Sequence, residues 1–352
     1  MDGDEGMASQ DAAQEIQVRC TTHPGRSDCG GAGILLAGDG TIDDKVFSMT
    51  MSHSRPFYVA FAPLQGYTGA IYRQAHHLCA GGVDEYYTPF LRIERDAVRG
   101  KDLRDVAPAA CEGVPTIPQV IANGGDEFAR LCDALQGQGW NRIDLNMGCP
   151  FPMQVRAGRG CGLLQHRERV EEIRREMLRR SDVAFSVKMR LGQESETEGE
   201  AIMSIVNAMP LLHVTLHPRL GRQQYKGEAD RDAFIRFAQR CQHPMVYNGD
   251  LTEVSQHEWD ALHIKGVMLG RGFLARPWML CERDPQEVVG EMHALIYRHA
   301  TTRLCGDSQI LAHLHAFWEY LDIPHRLKKP IMKATTLSRY NEAVANYTKK
   351  IS

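Results

Sequence analysis

The chain has 352 residues, 43% of them hydrophobic and 24% charged. That is ordinary globular composition and excludes a mostly disordered polymer. No run of 18 apolar residues is present to span a bilayer, so no membrane partner is expected. A formal charge of −3 excludes a protein that coats nucleic acid by bulk charge.

That charge is uneven. Residues 1–50 carry a balance of −6, which leaves +3 for the remainder. They are rich in Gly, Asp, Ser and Ala without apolar periodicity, and are expected to form a disordered leader before a fold that begins at Met51. None of the ten cysteines is spaced as C-x-x-C, so neither a zinc nor an iron–sulfur site is expected and the metal set is empty. With no signal peptide read at the start, the expected compartment is the reducing cytoplasm.

From Phe57 one design repeats: a short apolar or β-branched run, then polar or glycine residues, then a helical period. The runs are FYVAFAP at 57, VDEYYTPF at 83, TIPQVIA at 116, NRIDLNM at 141, VAFSVKMR at 183, LLHVTLHP at 211, PMVYNGD at 244 and IKGVMLGRG at 264. Helical patterns cover 127–135 and 167–180; the crossover around 91–115 reads poorly as helix because of Pro108 and Pro115. Eight strands alternating with helices predict an α/β fold, a (β/α)8 TIM barrel over residues 51–280, with an open doubly wound sheet as the alternative. The strand runs then stop. Residues 281–352 are expected to form a small all-helical domain, with helices over 287–304, 310–321 and 327–345. It serves either as a packing cap or as a partner-binding module. Its end is basic, with Arg326, Lys328, Lys329, Lys333, Arg339, Lys349 and Lys350 facing only Glu342. Both a solvated helix face and a phosphate-contacting surface fit that pattern.

In a parallel barrel, ligands gather at the C-terminal ends of the strands. Asn248-Gly249-Asp250 and Gly270-Arg271-Gly272 follow strands seven and eight, the usual phosphate-binding loops. Glycine lets backbone N–H groups approach the oxygens, and Arg271 offers a bidentate fork. Lys188 and His217 end strands five and six. A buried lysine needs an anion, supplied by a cofactor or by a neighbouring carboxylate; His217 is either a functional group or a satisfied core histidine. Gln119 both donates and accepts, as a heteroaromatic edge requires. No GxGxxG element follows a strand, which disfavours a Rossmann-bound dinucleotide. Cys149, in NMGCP just past strand four, sits where a thiol acts as nucleophile or proton donor, or merely as a small residue. Cys161 reads as a resolving thiol or as filler beside the next helix.

The ordered segments APLQGYTGAIYR, DLNMGCPFPMQVRAGRGCGLL, SVKMRLG, LHPRLGRQQYKGEAD, YNGD and MLGRG resemble those of the tRNA-dihydrouridine synthases over about residues 56–350, with an overall shape most similar to the bacterial C-type branch. The resemblance implies an FMN-containing barrel with a helical tRNA-binding domain at 281–352. It also implies NADPH or NADH as reductant, reduction of the C5–C6 double bond of a tRNA uridine, and a monomer. Carried over by matching position, it makes Cys149 the proton donor, gives the uracil to Asn146, and places Arg219 near the uracil or its phosphate. Pro63, Leu64, Gln65, Gln119, Lys188 and His217 fall to the flavin ring system, and Asn248, Gly249, Asp250, Gly270 and Arg271 to its phosphate. The chain departs from the family pattern at Gly69, where many members carry Asp. It departs again in HPR at 217–219 in place of HGR or HAR, and at His315, where relatives often place a basic residue. A flavin barrel acting on a free small molecule and a non-catalytic RNA-binding barrel are the competing readings.

Overall fold

The computed structural model describes residues 57–254, 259 and 264–351; the leader expected over residues 1–50 and the start at Met51 lie outside them. Eight strands form one parallel sheet: β1 (Tyr58–Phe61), β2 (Glu85–Tyr87), β3 in two pieces (Thr116–Ile117 and Gln119–Val120), β4 (Arg142–Met147), β5 (Ala184–Gly192), β6 (Leu211–Leu220), β7 (Met245–Asn248) and β8 (Gly266–Leu269). Each falls on one of the eight apolar runs. β1 pairs with β8 on one side and β2 on the other. The ring closes at β3, whose first piece pairs with β2 and whose second pairs with β4. Pro118 divides the pieces because it has no N–H to give to the ladder. Its carbonyl still accepts from the Asp144 N–H at 2.9 Å. Closure settles the barrel over the open sheet.

The helices outside are α1 (Ala70–Cys79), α2 (Gly125–Gln136), α3 (Arg167–Leu178), α4 (Glu196–Asn207), α5 (Arg231–Ala238) and the short α6 (Arg271–Ala275). The 91–115 crossover holds a two-stranded hairpin (Ile93–Glu94 with Ala97–Val98) and two short helical turns, Gly100–Asp105 and Pro108–Cys111. Pro108 opens the second turn, where its missing N–H costs nothing. The Gly69 departure has a local remedy. Gly69 is the N-cap of α1 and has no side chain to cap it, so the Asp105 carboxylate reaches across 35 residues to accept from the Ala70 N–H at 2.7 Å. Asp105 also takes the buried Arg73 guanidinium at 2.8 Å. A Cβ on Gly69 would come within 3.3 Å of that carboxylate oxygen, so one acid stands where two would repel.

The barrel's N-terminal end is plugged by side chains. Lys265 Nζ donates to His213 Nδ1 at 3.1 Å, which leaves His213 Nε2 to donate to Tyr87 Oη at 3.0 Å. Tyr58 Oη donates to Glu85 at 2.6 Å, and Arg142 holds the other oxygen of that carboxylate. Burial, with Lys265 beside it, pushes His213 down to about 3, so the imidazole is neutral. A wet cavity therefore has only the opposite end to occupy.

Four helices follow the barrel: α7 (Pro285–Arg303), α8 (Asp307–Glu319), α9 (His325–Met332) and α10 (Leu337–Ile351). α7 packs along α1 and starts on Asp284, whose carboxylate accepts from the Gln286 and Glu287 N–H groups. The single helix expected over 327–345 is two helices. Asp307 accepts from the Leu337 N–H at 2.9 Å and Thr336 Oγ1 from Arg339, and these contacts start α10 afresh.

Candidate active site

The register of β4, β5 and β6 brings their polar residues level. Asn146 pairs with Lys188, Lys188 with Thr215, and Arg190 with His217. Beneath the mouth, Asp144 accepts from Ser186 Oγ at 2.6 Å and from Gln119 Nε2 at 2.7 Å. Fixing the Gln119 nitrogen on Asp144 points its oxygen at Asn146, whose Nδ2 donates to it at 2.7 Å. That in turn fixes Asn146 Oδ1, which accepts from the backbone N–H groups of Gly148 (3.0 Å) and Cys149 (2.8 Å). The relay Asp144–Gln119–Asn146 thus ends on the loop that carries the thiol. Burial raises Asp144 to about 6, against the pull of Ser186, Gln119 and Lys188. Asp144 is a member of this cluster that the sequence reading missed, because an aspartate inside a strand run carries no local mark of its partners.

Cys149 is half-buried. Burial pushes its thiol above the ordinary value, more than the Phe151 N–H, Arg190 and Lys188 pull it down. Cys161 is fully buried. Its N–H donates to the Cys149 carbonyl at 3.1 Å, and its single thiol hydrogen has that carbonyl (3.1 Å) and Gln193 Oε1 (2.8 Å) as alternative acceptors. Burial raises it to about 12, so it is an anchor for the Cys149 loop and has no thiolate with which to resolve a disulfide. Gly160 permits this packing: a Cβ there would stand 2.5 Å from the Cys149 carbonyl oxygen.

Beside this loop opens a cavity of about 480 Å³, within the range of small-molecule sites. Pro63 and Leu64 from the β1 loop line it, with Lys188 and His217. Asn248, Gly249, Asp250, Gly270 and Arg271 line its other part. Gln65 and Gln119 do not: Gln65 Nε2 donates to the Phe90 carbonyl at 3.1 Å, and Gln119 is buried in the relay. Asn146, Cys149 and Arg219 are likewise outside the lining. Arg219 is turned inwards and buried. Its guanidinium clamps both oxygens of Asp250 and donates to the Gly227 carbonyl at 2.6 Å and to His217 Nε2 at 2.9 Å.

An arginine only donates, so His217 Nε2 is an acceptor and the ring proton is on Nδ1. Burial, then Lys188, Arg190, Arg219 and Arg271, hold His217 far below its usual range; it is neutral at every physiological pH. Burial lowers Lys188 to about 8, and among the described residues its Nζ has no hydrogen-bond partner. Arg271 donates to Asp250 at 2.9 Å. One carboxylate, Asp250, among the lining cations Lys188, Arg271 and Arg276 leaves the cavity net positive. Tyr225, which the sequence reading passed over, roofs this group. The Arg271 and Arg190 guanidinium carbons lie 4.6 and 5.5 Å from its ring centroid, a cation–π arrangement that holds an exposed ring at the mouth. Its signal, an aromatic in a Gly/Gln-rich loop after β6, is too common to find it by sequence.

A family model described as dihydrouridine synthase (Dus) matches residues 60–350. A probable tRNA-dihydrouridine synthase of Rickettsia conorii is 29% identical over 54% of this chain and 56% of its own length. tRNA-dihydrouridine synthase B of Pasteurella multocida is 27% identical over 57% of this chain and 60% of its own length. The namesake from Pseudomonas syringae pv. tomato is 25% identical over 73% and 76%. The chain therefore spans less than two thirds of the length of the first two relatives. With the match running through barrel and helical module alike, the chain belongs to the dihydrouridine synthase family.

Proposed function

We propose that this protein reduces the C5–C6 double bond of a uridine in tRNA, with FMN as its cofactor and NADPH or NADH as reductant. The observation that carries this reading is a thiol kept protonated by burial and held by a buried relay at the mouth of a barrel, beside a cation-lined cavity. The residues fit the cofactor. Ala62, Pro63, Leu64 and Met268 offer an apolar wall for a flat ring, Lys188, with no hydrogen-bond partner among the described residues, offers a cation at the ring end, and Arg271 offers charge for a phosphate. The glycine backbone at Gly249 packs between His217 and Ala229, where a Cβ would stand 2.8 Å from the Ala229 side chain, so only glycine lets the loop lie this close to the end of β6.

When bound, the flavin supplies the hydride that adds to C6 of the base. Cys149 then gives its proton to C5, and solvent restores it. Asn146 positions the donor by fixing the backbone of its loop, and the remaining N–H of its carboxamide is free for a uracil carbonyl. Lys188 and the Nδ1–H of His217 keep donors at the strand ends where negative charge develops on the base. Among the described residues no helix is long and apolar enough to cross a membrane.

The target base must leave its stack, at a cost of a few kcal/mol, and RNA contacts must offset it. Arg326, Lys329, Lys333, Arg339, Lys349 and Lys350 are exposed on α9, α10 and the turn between them and are the proposed tRNA face. Lys328 is not part of it, being half-buried and bonded to the carbonyls of Glu319, the last residue of α8, and of Leu321 just beyond it. His315 packs towards Tyr340, and burial lowers it, so it offers no charge to RNA at neutral pH. The C-type likeness rests on the overall shape of the chain, whereas the relatives above carry the B-type name or none. The modified position decides the branch. Comparing dihydrouridine maps of tRNA from wild-type and deletion strains tests substrate and position together; an unchanged map overturns the proposal.

Two further outcomes follow. Arg271→Ala should weaken FMN binding about 10–100-fold, the loss of a charge-assisted phosphate contact, read by quenching of flavin fluorescence. Two losses should separate in the pH profile of the single-turnover rate: an earlier one as Lys188, lowered to about 8, gives up its proton, and a later one from Cys149, because a buried donor keeps its proton past the usual thiol range. In Lys188→Met the earlier loss should disappear; a rate that still falls below the usual thiol range in that variant would exclude Cys149 as the acid.

A further inference from the structure

One wall of the cavity does not come from the barrel. Tyr320, the residue that follows α8, lines it together with Leu64, Ala275 and Arg276. Its place is fixed by separate contacts on different elements. The Tyr67 ring meets it edge-on, centroids 5.0 Å apart and planes at 82°, and Tyr67 Oη donates to Glu319 at 2.9 Å. Tyr67 belongs to the turn that presents Pro63 and Leu64 to the cavity; its N–H donates to the Leu64 carbonyl at 3.1 Å. Two residues on, the Asp322 N–H donates to the Ala275 carbonyl at 2.9 Å, which ties the chain to α6. Finally, Lys328 Nζ donates to the carbonyls of Glu319 and Leu321 at 3.0 and 2.9 Å, the two residues that flank Tyr320. The last carbonyls of a helix lack intrahelical partners, and a lysine there suits both their lone pairs and the helix dipole.

We infer that the helical module completes the cofactor site. Tyr320 is a cofactor-binding residue that gives the bound flavin mononucleotide an aromatic wall, and Lys328 is a positioning residue that holds Tyr320 in place. This rests on the flavin reading above. Lys328 belongs to α9, where the basic segment begins, so a cation that the sequence offers to RNA is spent as a strut between that segment and the cofactor cavity.

The test uses the full chain, stripped of flavin and titrated with FMN by fluorescence quenching, with melting temperature measured for apo and FMN-saturated forms. Tyr320→Ala should bind FMN up to about tenfold more weakly, the scale of one aromatic contact, while Tyr320→Phe should bind like wild type, since the ring and not the hydroxyl forms the wall. Lys328→Met should weaken binding in the same direction, and Lys328→Arg should restore it. If the alanine variant is less stable as apoprotein, the FMN-induced rise in its melting temperature remains the readout. A rise and affinity equal to wild type overturn the assignment of Tyr320. Wild-type affinity in Lys328→Met overturns the strut. A wild-type protein that takes up no FMN overturns the cofactor reading itself, and the wild-type arm tells that failure apart from the others.

Discussion

Cys149→Ala is expected to lower the single-turnover rate of dihydrouridine formation by about 10²–10⁴-fold, the contribution of a positioned general acid, with FMN and tRNA affinities unchanged. The loop gives the reason for the second half. The hydrogen bonds that anchor it engage backbone: Asn146 Oδ1 takes the Gly148 and Cys149 N–H groups, and the Cys161 N–H donates to the Cys149 carbonyl. The Cys149 thiol itself meets the Phe151 N–H within the same loop, so alanine removes the proton and that one contact and leaves the anchors. Cys149 is also outside the cavity lining, so flavin affinity is expected to hold. The measurement is rapid-quench turnover of prereduced enzyme beside flavin and tRNA titrations. A variant with wild-type turnover removes Cys149 from the chemistry.

Asp250→Ala is expected to cost about 3 kcal/mol of stability, the lower end for breaking a buried ion pair, because Asp250 keeps 36% of its side-chain exposure while Arg219 keeps 1%. Without the carboxylate, Arg219 has only the Gly227 carbonyl and His217 Nε2 as acceptors, and its Nε has none even now. A buried guanidinium cannot shed its charge, so the cost falls on the fold. Replacing Arg219 as well, in Asp250→Ala with Arg219→Met, should recover part of the loss, since two absent charges cost less than one stranded charge. Denaturant melts of the two single variants and the double check this. An Asp250→Ala protein as stable as wild type would show that the pair is not what supports this corner of the mouth.

The same residues show how unevenly the sequence speaks. The eight strands were legible because each is a short apolar run between turn residues, a signal carried within a few residues. The positions of Lys188, His217, Gly249 and Arg271 at the mouth followed, since a parallel barrel sends every strand end to one rim. Arg219 shows what the sequence leaves out. From sequence it is one more cation at a strand end, and only the fold shows it turned inwards to Asp250, 31 residues away.

What the chain determined by itself is thus the periodic frame, the order of its polar strand ends and the thiol after β4. The tertiary structure decided which partner each polar group met. Asp105 caps a helix that Gly69 cannot cap, Asp144 orients Gln119 and through it Asn146, Lys328 closes α8 instead of meeting RNA, and Tyr320 enters the cavity from a helix that follows the barrel. Each of these is a hydrogen bond or ring contact between residues distant in sequence. Such contacts leave no local pattern, because a carboxylate or a lysine reads the same whether it faces water or a buried partner.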